Sequence, residues 1–183
     1  MSPTTAQHVR DEFGGGLLVL DGGACDVGLE STIVDLSRGA PVLLRPGGVS
    51  REAIEAALGE KLLDRDAQAP RASGTLAAHY APQTSLVLVE SGDMEEELEL
   101  PANVAVLALR EPQGDLRVTS WITAPSDPVR YGHDLYANLR TLDASGAKRI
   151  VVEAPPRLAS WEAVNDRLLR AAAGSAGELD DEP

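Results

Sequence analysis

The sequence predicts an α/β protein. Short apolar segments alternate with amphipathic segments along most of the chain, as expected when strands and helices alternate. Hydrophobic residues make up 43% and charged residues 25% of the 183 residues, which is typical of a folded globular protein. Apolar runs fall short of the roughly 20 residues of a membrane helix, and residues 1–13 lack the apolar core of a signal peptide. We therefore expect a cytoplasmic protein with no membrane association.

Charge and cysteine content exclude several classes of site. The formal net charge is −13, so direct nucleic-acid binding is not expected unless a local basic patch overrides the acidic surface. Cys25 is the single cysteine, which excludes an internal disulfide and a cysteine-based zinc site. The sequence contains no phosphate-binding glycine loop, zinc-protease motif or nucleophile elbow. The histidines show no metal-ligand spacing.

The chain begins with a predicted helix. A hydroxyl at Ser2 followed by Pro3 is typical of a helix start, and the glycine run 14–16 predicts its end near Phe13. The apolar run Leu17–Leu20 is followed by turn residues and predicts a short strand.

Two further strands and a helix follow. Ser31–Leu36 and Pro41–Arg45 predict strands, and the turn residues between them predict a hairpin. Ser50 predicts the N-cap of a helix over residues 51–58.

Residues 61–84 have no clear periodicity. Two prolines and a glycine among polar residues are typical of a linker. The apolar and aromatic cluster over residues 76–82 is unusual in a free linker, so we expect this segment to dock on another part of the chain.

The second half predicts a small open sheet with helices on its faces. Asp93–Leu98 predicts a short acidic helix, whose glutamates form a solvated face. The other predicted elements are strands over residues 86–89, 104–109, 117–122 and 149–152, a helix over residues 127–143 and a helix over residues 161–173 that Ser160 caps. In the helix over 127–143, three- and four-residue spacing places five residues on one face: Gly132, Leu135, Tyr136, Leu139 and Leu142.

Ser31, Thr32 and Arg45 are the first candidate binding residues. The hydroxyls of Ser31 and Thr32 can donate to phosphate or carboxylate oxygens, although the favoured alternative from the residues alone is that they are ordinary polar residues at a strand end. Arg45 ends a strand before a Pro-Gly-Gly turn, so its planar guanidinium can bind a phosphate or carboxylate through two hydrogen bonds. The alternative is an ion pair with Asp35 across the hairpin.

His79 and Tyr80 form the second candidate. Pro82 favours an extended backbone at Ala81, so we expect the two rings to point in opposite directions. One ring could then cover a ligand while the other anchors the linker; the alternative is that both are packing residues.

A third group could form a polar cluster in the second half. It consists of Asn165, Asp166 and Arg167, with Glu153 and two prolines upstream. The favoured alternative is an exposed helix face beside a helix-entry turn.

Taken in order, these segments resemble the threonylcarbamoyl-AMP synthase family. The matching segments are SPTTAQHV, Asp21-Gly22-Gly23, VGLESTIVDL, PVLLRPGGVSREAIE, GTLAAHYAP, YGHDLYANLRTLDASGAKRIVVEAPP and WEAVNDRLLRAA. The resemblance implies the C-terminal part of a YrdC-like twisted-sheet catalytic domain over residues 1–60 and a docking linker over 61–84. It also implies a small Rossmann-like open-sheet domain over 85–174 and a tail over 175–183.

The resemblance also implies an activity. Members of the family make L-threonylcarbamoyladenylate and pyrophosphate from L-threonine, bicarbonate and ATP, and Mg²⁺ accompanies the nucleotide. A downstream tRNA-modifying transferase uses the product to form N6-threonylcarbamoyladenosine at position 37. By resemblance, Ser31 and Arg45 line the nucleotide and product pocket, Thr32 is a weaker candidate, and His79 and Tyr80 form a lid. It assigns no catalytic residue and no metal ligand here.

Two motifs of the family are absent from the sequence. An SxN motif normally precedes the SPTTA segment, and a KxR motif that contacts phosphates lies further upstream. Lys61 and Arg51 cannot replace that basic pair, because they lie on or after the helix that ends the first domain. Electrostatic stabilisation usually dominates such transfers, so we expect the 183-residue chain alone to be inactive. The alternative is a non-catalytic nucleotide-binding or regulatory module that acts with a partner.

Overall fold

The predicted α/β class is confirmed in the computed structural model, which describes residues 1–76, 78–99, 103–114 and 117–176. Its strands form a mixed three-stranded sheet and a parallel four-stranded sheet. The predicted tail from residue 177 onward lies outside the described residues.

The first helix, α1, spans Ala6–Phe13 and begins later than predicted. Its N-cap is Thr5, whose side chain accepts a hydrogen bond from the His8 backbone amide at 3.2 Å. The predicted cap at Ser2 is therefore wrong, because that hydroxyl donates to Glu30 instead.

The predicted strand over Leu17–Leu20 is also wrong. These residues form no strand, and Leu18 and Leu20 are 87% and 89% exposed. A strand needs a neighbour for its backbone hydrogen bonds, and the described residues supply none here.

The small sheet contains the predicted hairpin. Strands β1 (Ile33–Asp35) and β2 (Val42–Arg45) are antiparallel, and β3 (Leu63–Asp64) pairs in parallel with β2. Helix α2 spans Arg51–Leu58 as predicted, and the Ser50 side chain accepts a hydrogen bond from the Ala53 amide at 3.2 Å. Strand β3 is too short to leave a periodic signal in the sequence.

The large sheet has the order β4-β7-β5-β6, with every pair parallel. Its elements are β4 (Ser85–Val89), α3 (Met94–Glu99), β5 (Val104–Ala108), β6 (Ser120–Thr123), α4 (Pro128–Asp143), β7 (Arg149–Glu153) and α5 (Glu162–Ala176). Each predicted strand and helix of this half is present, with some ends shifted. Ser160 lies inside a short 3-10 turn (Ala159–Trp161) before α5, so its predicted capping role is wrong.

Helices α4 and α5 cover one face of this sheet, and α3 covers the other. The buried side chains of α4 have the three- and four-residue spacing expected from the sequence: Tyr131, Gly132, Leu135, Tyr136, Leu139 and Leu142. From α5, Val164 and Leu168 join the same cluster. Full burial of each leucine stabilises the fold by roughly 1.5–3 kcal/mol. These two helices are thereby fixed in the position from which they reach the small sheet.

None of the helices within the described ranges has the length and apolar character needed to cross a membrane.

Candidate functional site

Arg45 lies at the end of β2 and is buried, with 6% of its surface exposed. Its Nη2 donates to the Ser31 carbonyl at 2.8 Å, and its Nη1 donates to the Ser73 carbonyl at 2.9 Å. Its Nε is buried and finds no partner within the described part of the chain. The alternative ion pair with Asp35 is wrong, because that carboxylate binds the side chains of Ser37 and Arg38.

Ser31 and Thr32 lie beside this arginine but differ in their environment. Ser31 is exposed. The Thr32 hydroxyl donates to the Val49 carbonyl at 2.5 Å and accepts from the Val49 amide at 3.2 Å. Thr32 therefore fastens the turn after β2, whereas Ser31 faces solvent near Arg45.

The turn after β2 packs directly on the backbone of residues 30–32. A Cβ at Gly47 would lie 2.4 Å from the Glu30 carbonyl oxygen and 2.5 Å from the Thr32 nitrogen. The Gly48 amide donates to that same Glu30 carbonyl at 3.0 Å. Only glycine at position 47 permits this approach, which brings Ser31 and Arg45 together.

His79 and Tyr80 lie against each other. Their ring centroids are 4.0 Å apart in an edge-to-face arrangement, so the expectation that they point in opposite directions is wrong. The reason is the backbone of Tyr80, whose φ of 65° is left-handed and not extended. Tyr80 is buried, and its hydroxyl oxygen lies 3.5 Å from Arg45 Nη1.

The segment before this pair also approaches Arg45. A Cβ at Gly74 would lie 1.9 Å from the Tyr80 hydroxyl and 2.8 Å from Arg45 Nη1. The His79 amide donates to the Arg170 carbonyl of α5 at 3.2 Å. Ser73 and Tyr80 therefore contact Arg45 while His79 contacts α5, and the chain's own groups bind both terminal nitrogens of the Arg45 guanidinium.

Arg167 of α5 belongs to the third candidate group, for which the sequence favoured an exposed helix face. Its side chain is fully buried, and its Nε donates to Glu30 Oε2 at 2.7 Å. Its Nη2 donates to the Pro46 carbonyl at 2.9 Å, and its Nη1 pairs with Asp166. The favoured alternative of an exposed helix face is therefore wrong for this residue.

The polar cluster proposed around Arg167 does not include Glu153. That carboxylate binds the Ser91 hydroxyl at 2.6 Å and the Leu109 amide at 2.8 Å, at the carboxyl edge of the large sheet.

One signal in the sequence could have identified Arg167 as buried. It falls on the apolar face of α5, three residues after Val164 and four before Ala171.

Glu30 accepts hydrogen bonds from several elements. Ser2 donates to it, and the Tyr136 hydroxyl of α4 donates to its two oxygens at 3.0 and 3.1 Å. Burial alone would raise the pKa of Glu30, but the bonds from Ser2 and Arg167 lower this pKa below its ordinary value. Burial lowers the pKa of Arg167, but the hydrogen bond to Glu30 and the Glu30 charge raise it, and the net pKa lies above its ordinary value. Both groups are therefore charged at neutral pH.

Burial also affects the aromatic groups of the site. It raises the pKa of both Tyr80 and Tyr136, and the nearby Glu30 carboxylate raises each further. Burial lowers the pKa of His79. At neutral pH the site therefore has uncharged rings around two buried arginines.

The arrangement is suited to binding an anion. Arg45 can bind phosphate or carboxylate oxygens, and the aromatic side chains beside it can exclude water from them. No cluster of three or more histidine, cysteine, aspartate or glutamate residues within the described ranges could hold a metal ion.

Comparison with known proteins identifies the family. The family described as "Threonylcarbamoyl-AMP synthase, C-terminal domain" matches residues 49–173, and the family described as "Telomere recombination" matches residues 1–47. The threonylcarbamoyl-AMP synthase of Bacillus subtilis is 32% identical over 188 aligned residues, covering 94% of this chain and 54% of the relative. The Pyrococcus abyssi enzyme of the same name is 30% identical, covering 93% of this chain and 54% of the relative.

Solved structures agree with these matches. The crystal structure of P. abyssi Sua5 complexed with L-threonine superposes with a TM-score of 0.80 at 29% identity, covering 95% of this chain and 55% of that one. A P. abyssi Sua5 variant in which an adjacent histidine and tyrosine are replaced by alanine has a TM-score of 0.76. The chain spans about half the length of the curated relatives it matches. By sequence and by fold, it belongs to the threonylcarbamoyl-AMP synthase family.

Proposed function

We propose that this chain carries part of the active site of an L-threonylcarbamoyladenylate synthase. The reaction joins L-threonine, bicarbonate and ATP and releases pyrophosphate. The names of its relatives and the threonine complex of P. abyssi Sua5 support this assignment. The observation that carries it is the buried Arg45, held next to Ser31 and under Tyr80.

In this proposal, Arg45 and Ser31 bind the phosphate of the nucleotide and of the adenylate product. Arg45 would exchange its bonds to chain carbonyls for bonds to phosphate oxygens, which are stronger because both partners are charged. Thr32 supports the neighbouring turn and is the weaker candidate for direct contact.

His79 and Tyr80 form the lid in this proposal. The product is a mixed anhydride that water can hydrolyse, so a lid of buried aromatic groups would protect it. P. abyssi Sua5 has been solved with an adjacent histidine–tyrosine pair replaced by alanine, and His79–Tyr80 is such a pair in this chain.

In this proposal, three segments of the chain have separate roles. Residues 1–60 belong to the catalytic domain, residues 61–84 to the docking linker, and residues 85–174 to the second domain. The product would pass to a tRNA-modifying transferase, without direct nucleic-acid binding by this acidic chain. ATP would bring Mg²⁺ with it; the described residues form no ligand cluster of their own, so we assign no step to the ion.

A second candidate is a nucleotide-binding or regulatory module that acts with a partner. It fits the arrangement of Arg45, whose guanidinium could bind a phosphate without taking part in any chemical step. Both candidates require Arg45 to bind the nucleotide, but only the first requires pyrophosphate release.

Titration calorimetry with ATP and AMP tests the nucleotide site, and a pyrophosphate-release assay separates the two candidates. We expect binding by the native chain and its loss in Arg45→Gln. The matched control is Arg157→Gln, since the Arg157 side chain is 85% exposed and its ion pair among the described residues is with Glu90. Because the chain spans about half the length of its relatives, the release assay uses a version extended upstream, supplied with threonine, bicarbonate, ATP and Mg²⁺. Binding with pyrophosphate release by that version supports the synthase, and binding without release supports the module. A native chain that binds neither nucleotide would refute both.

A further inference from the structure

Arg167 contacts the two residues that flank the candidate nucleotide ligands. Its Nε holds the carboxylate of Glu30, the residue before Ser31. Its Nη2 holds the carbonyl of Pro46, the residue after Arg45. One buried guanidinium from α5 therefore fixes both sides of the junction between Ser31 and Arg45.

The same guanidinium contacts the lid. The Arg167 Cζ atom lies 5.1 Å from the centroid of the Tyr80 ring, within the range of a cation–π interaction. Tyr136 of α4 completes the contact, because its ring lies 5.8 Å from that of Tyr80 while its hydroxyl binds Glu30.

We propose that Arg167 is a positioning residue through which the second domain sets the geometry of the nucleotide pocket. It acts on the strand start, the turn and the lid together, and touches no substrate. This role rests on the proposed function. It also gives the second domain a function, which is to keep Ser31 and Arg45, two candidate ligands outside that domain, in a fixed relative position.

The residue type supports a positioning role over simple packing. A planar guanidinium can direct separate N–H groups at Glu30, Pro46 and Asp166 while its face meets Tyr80. An ammonium has the same charge but cannot keep these directions fixed. An apolar side chain of similar length would fill the space but position nothing.

The predicted effect is a loss of nucleotide affinity in a chain that stays folded. We expect Arg167→Gln to weaken AMP binding by about tenfold or more, because small displacements of binding groups have large effects. Arg167→Lys keeps the charge and should recover only part of the affinity. The effect should nearly vanish when Arg45→Gln is already present, since Arg167 acts through that residue. Arg157→Gln should bind like the native chain.

Hydrogen exchange provides a readout that does not depend on nucleotide binding. In Arg167→Gln, we expect faster exchange in peptides covering residues 29–32 and 46–48, where the Gly48 amide binds the Glu30 carbonyl. Peptides from β5 and β7 should show a clearly smaller rise in exchange, because these strands lie in the large sheet and do not contact Arg167 through a hydrogen bond.

The outcomes separate the inference from the function on which it rests. If the native chain binds AMP and folded Arg167→Gln binds it equally well, the positioning role is wrong and the proposed function stands. If the native chain does not bind AMP but hydrogen exchange in Arg167→Gln rises as expected, then Arg167 does hold Glu30 and Pro46 in place, and the proposed function is wrong. An additive effect of the Arg45 and Arg167 changes, or a rise in exchange that is as large throughout the large sheet as at residues 29–32 and 46–48, would mean that Arg167 contributes only to stability and would overturn the proposal.

Discussion

Arg167 Nε and Glu30 Oε2 are 2.7 Å apart, although 137 residues separate them in the chain. The pair joins α5 of the second half to the segment that leads into β1. The Arg167 side chain is fully buried and that of Glu30 is 21% exposed, so this interaction is much less screened by solvent than a surface ion pair. The described structure depends on this contact more than on any of its exposed salt bridges.

Breaking this pair should destabilise the fold. We expect Arg167→Met to lower the free energy of unfolding by about 3 kcal/mol, the lower end for a buried pair, because Glu30 is left without its main cation. Denaturant unfolding monitored by circular dichroism measures the change. Arg157→Met, in an exposed pair, should change stability by less than about 0.5 kcal/mol. Equal losses in the two variants would contradict the assignment.

Acidification should weaken the fold in two steps. Because its pKa lies below the ordinary 4.5, folded Glu30 binds a proton less readily than unfolded Glu30, so its contribution is complete above pH 4.5 and is lost as pH falls further. Burial lowers the pKa of His79 below 6.5, so its protonation also favours the unfolded chain, beginning near pH 6.5.

Denaturant unfolding across a pH series tests both steps. Glu30→Gln should flatten the pH dependence below 4.5, and His79→Gln should flatten it just below 6.5. The Glu30 carboxylate accepts hydrogen bonds from Ser2, Tyr136 and Arg167, and its charge also acts on His79, Tyr80 and the N-terminal amine. Stability that rose on acidification through either range would contradict the assignment.

The core face of α4 should be far more sensitive than its exposed face. Leu135 has no exposed surface, and we expect Leu135→Ala to cost about 2–4 kcal/mol through lost burial and a residual cavity. The matched control is Val129→Ala on the same helix, since Val129 is 76% exposed and should contribute less than about 0.5 kcal/mol. Thermal or denaturant unfolding distinguishes the two, and similar losses would mean that α4 packs differently.

A methyl group at position 47 should separate the turn from the strand start. Gly47→Ala places a Cβ 2.4 Å from the Glu30 carbonyl oxygen, so the backbone must move. We expect a loss of about 1–3 kcal/mol, or roughly 2–12 °C in Tm, and weaker nucleotide binding. Gly92→Ala is the control, because a Cβ there would meet no atom within 4 Å. Scanning calorimetry would contradict the prediction if the two variants melted alike.

Local sequence patterns predicted the elements whose stability is local. The β1–β2 hairpin follows from two apolar strands around a turn, and α2 from a serine cap before an amphipathic segment. The spacing in α4 also identified its buried face. The same kind of local pattern wrongly predicted a strand at Leu17–Leu20, because a strand also needs a neighbouring strand, which a local pattern does not reveal.

The contacts of the candidate site depend on distant parts of the chain. Arg45 was identified as a candidate ligand, but its bond to Ser73 requires the linker to fold back over β2. Arg167 was assigned to an exposed helix face, because its partners Glu30 and Pro46 flank strands of the distant small sheet. The left-handed backbone at Tyr80, a residue type that rarely adopts it, had no signature in the sequence.

The strand order β4-β7-β5-β6 has a consequence for synthesis of the chain. Strand β4 leaves the ribosome first among these strands but has no neighbour until β7, the last of them, fills the place between β4 and β5. Helix α5, which carries Arg167, follows only after that. Strand β4 therefore stays unpaired in the nascent chain until β7 has been synthesised. Such non-local pairing is typically slow, and the unpaired apolar edge is exposed to chaperones in the meantime. The contacts of Arg167 with Glu30 and Pro46, which connect α5 to the small sheet, are therefore among the last parts of the described structure to form.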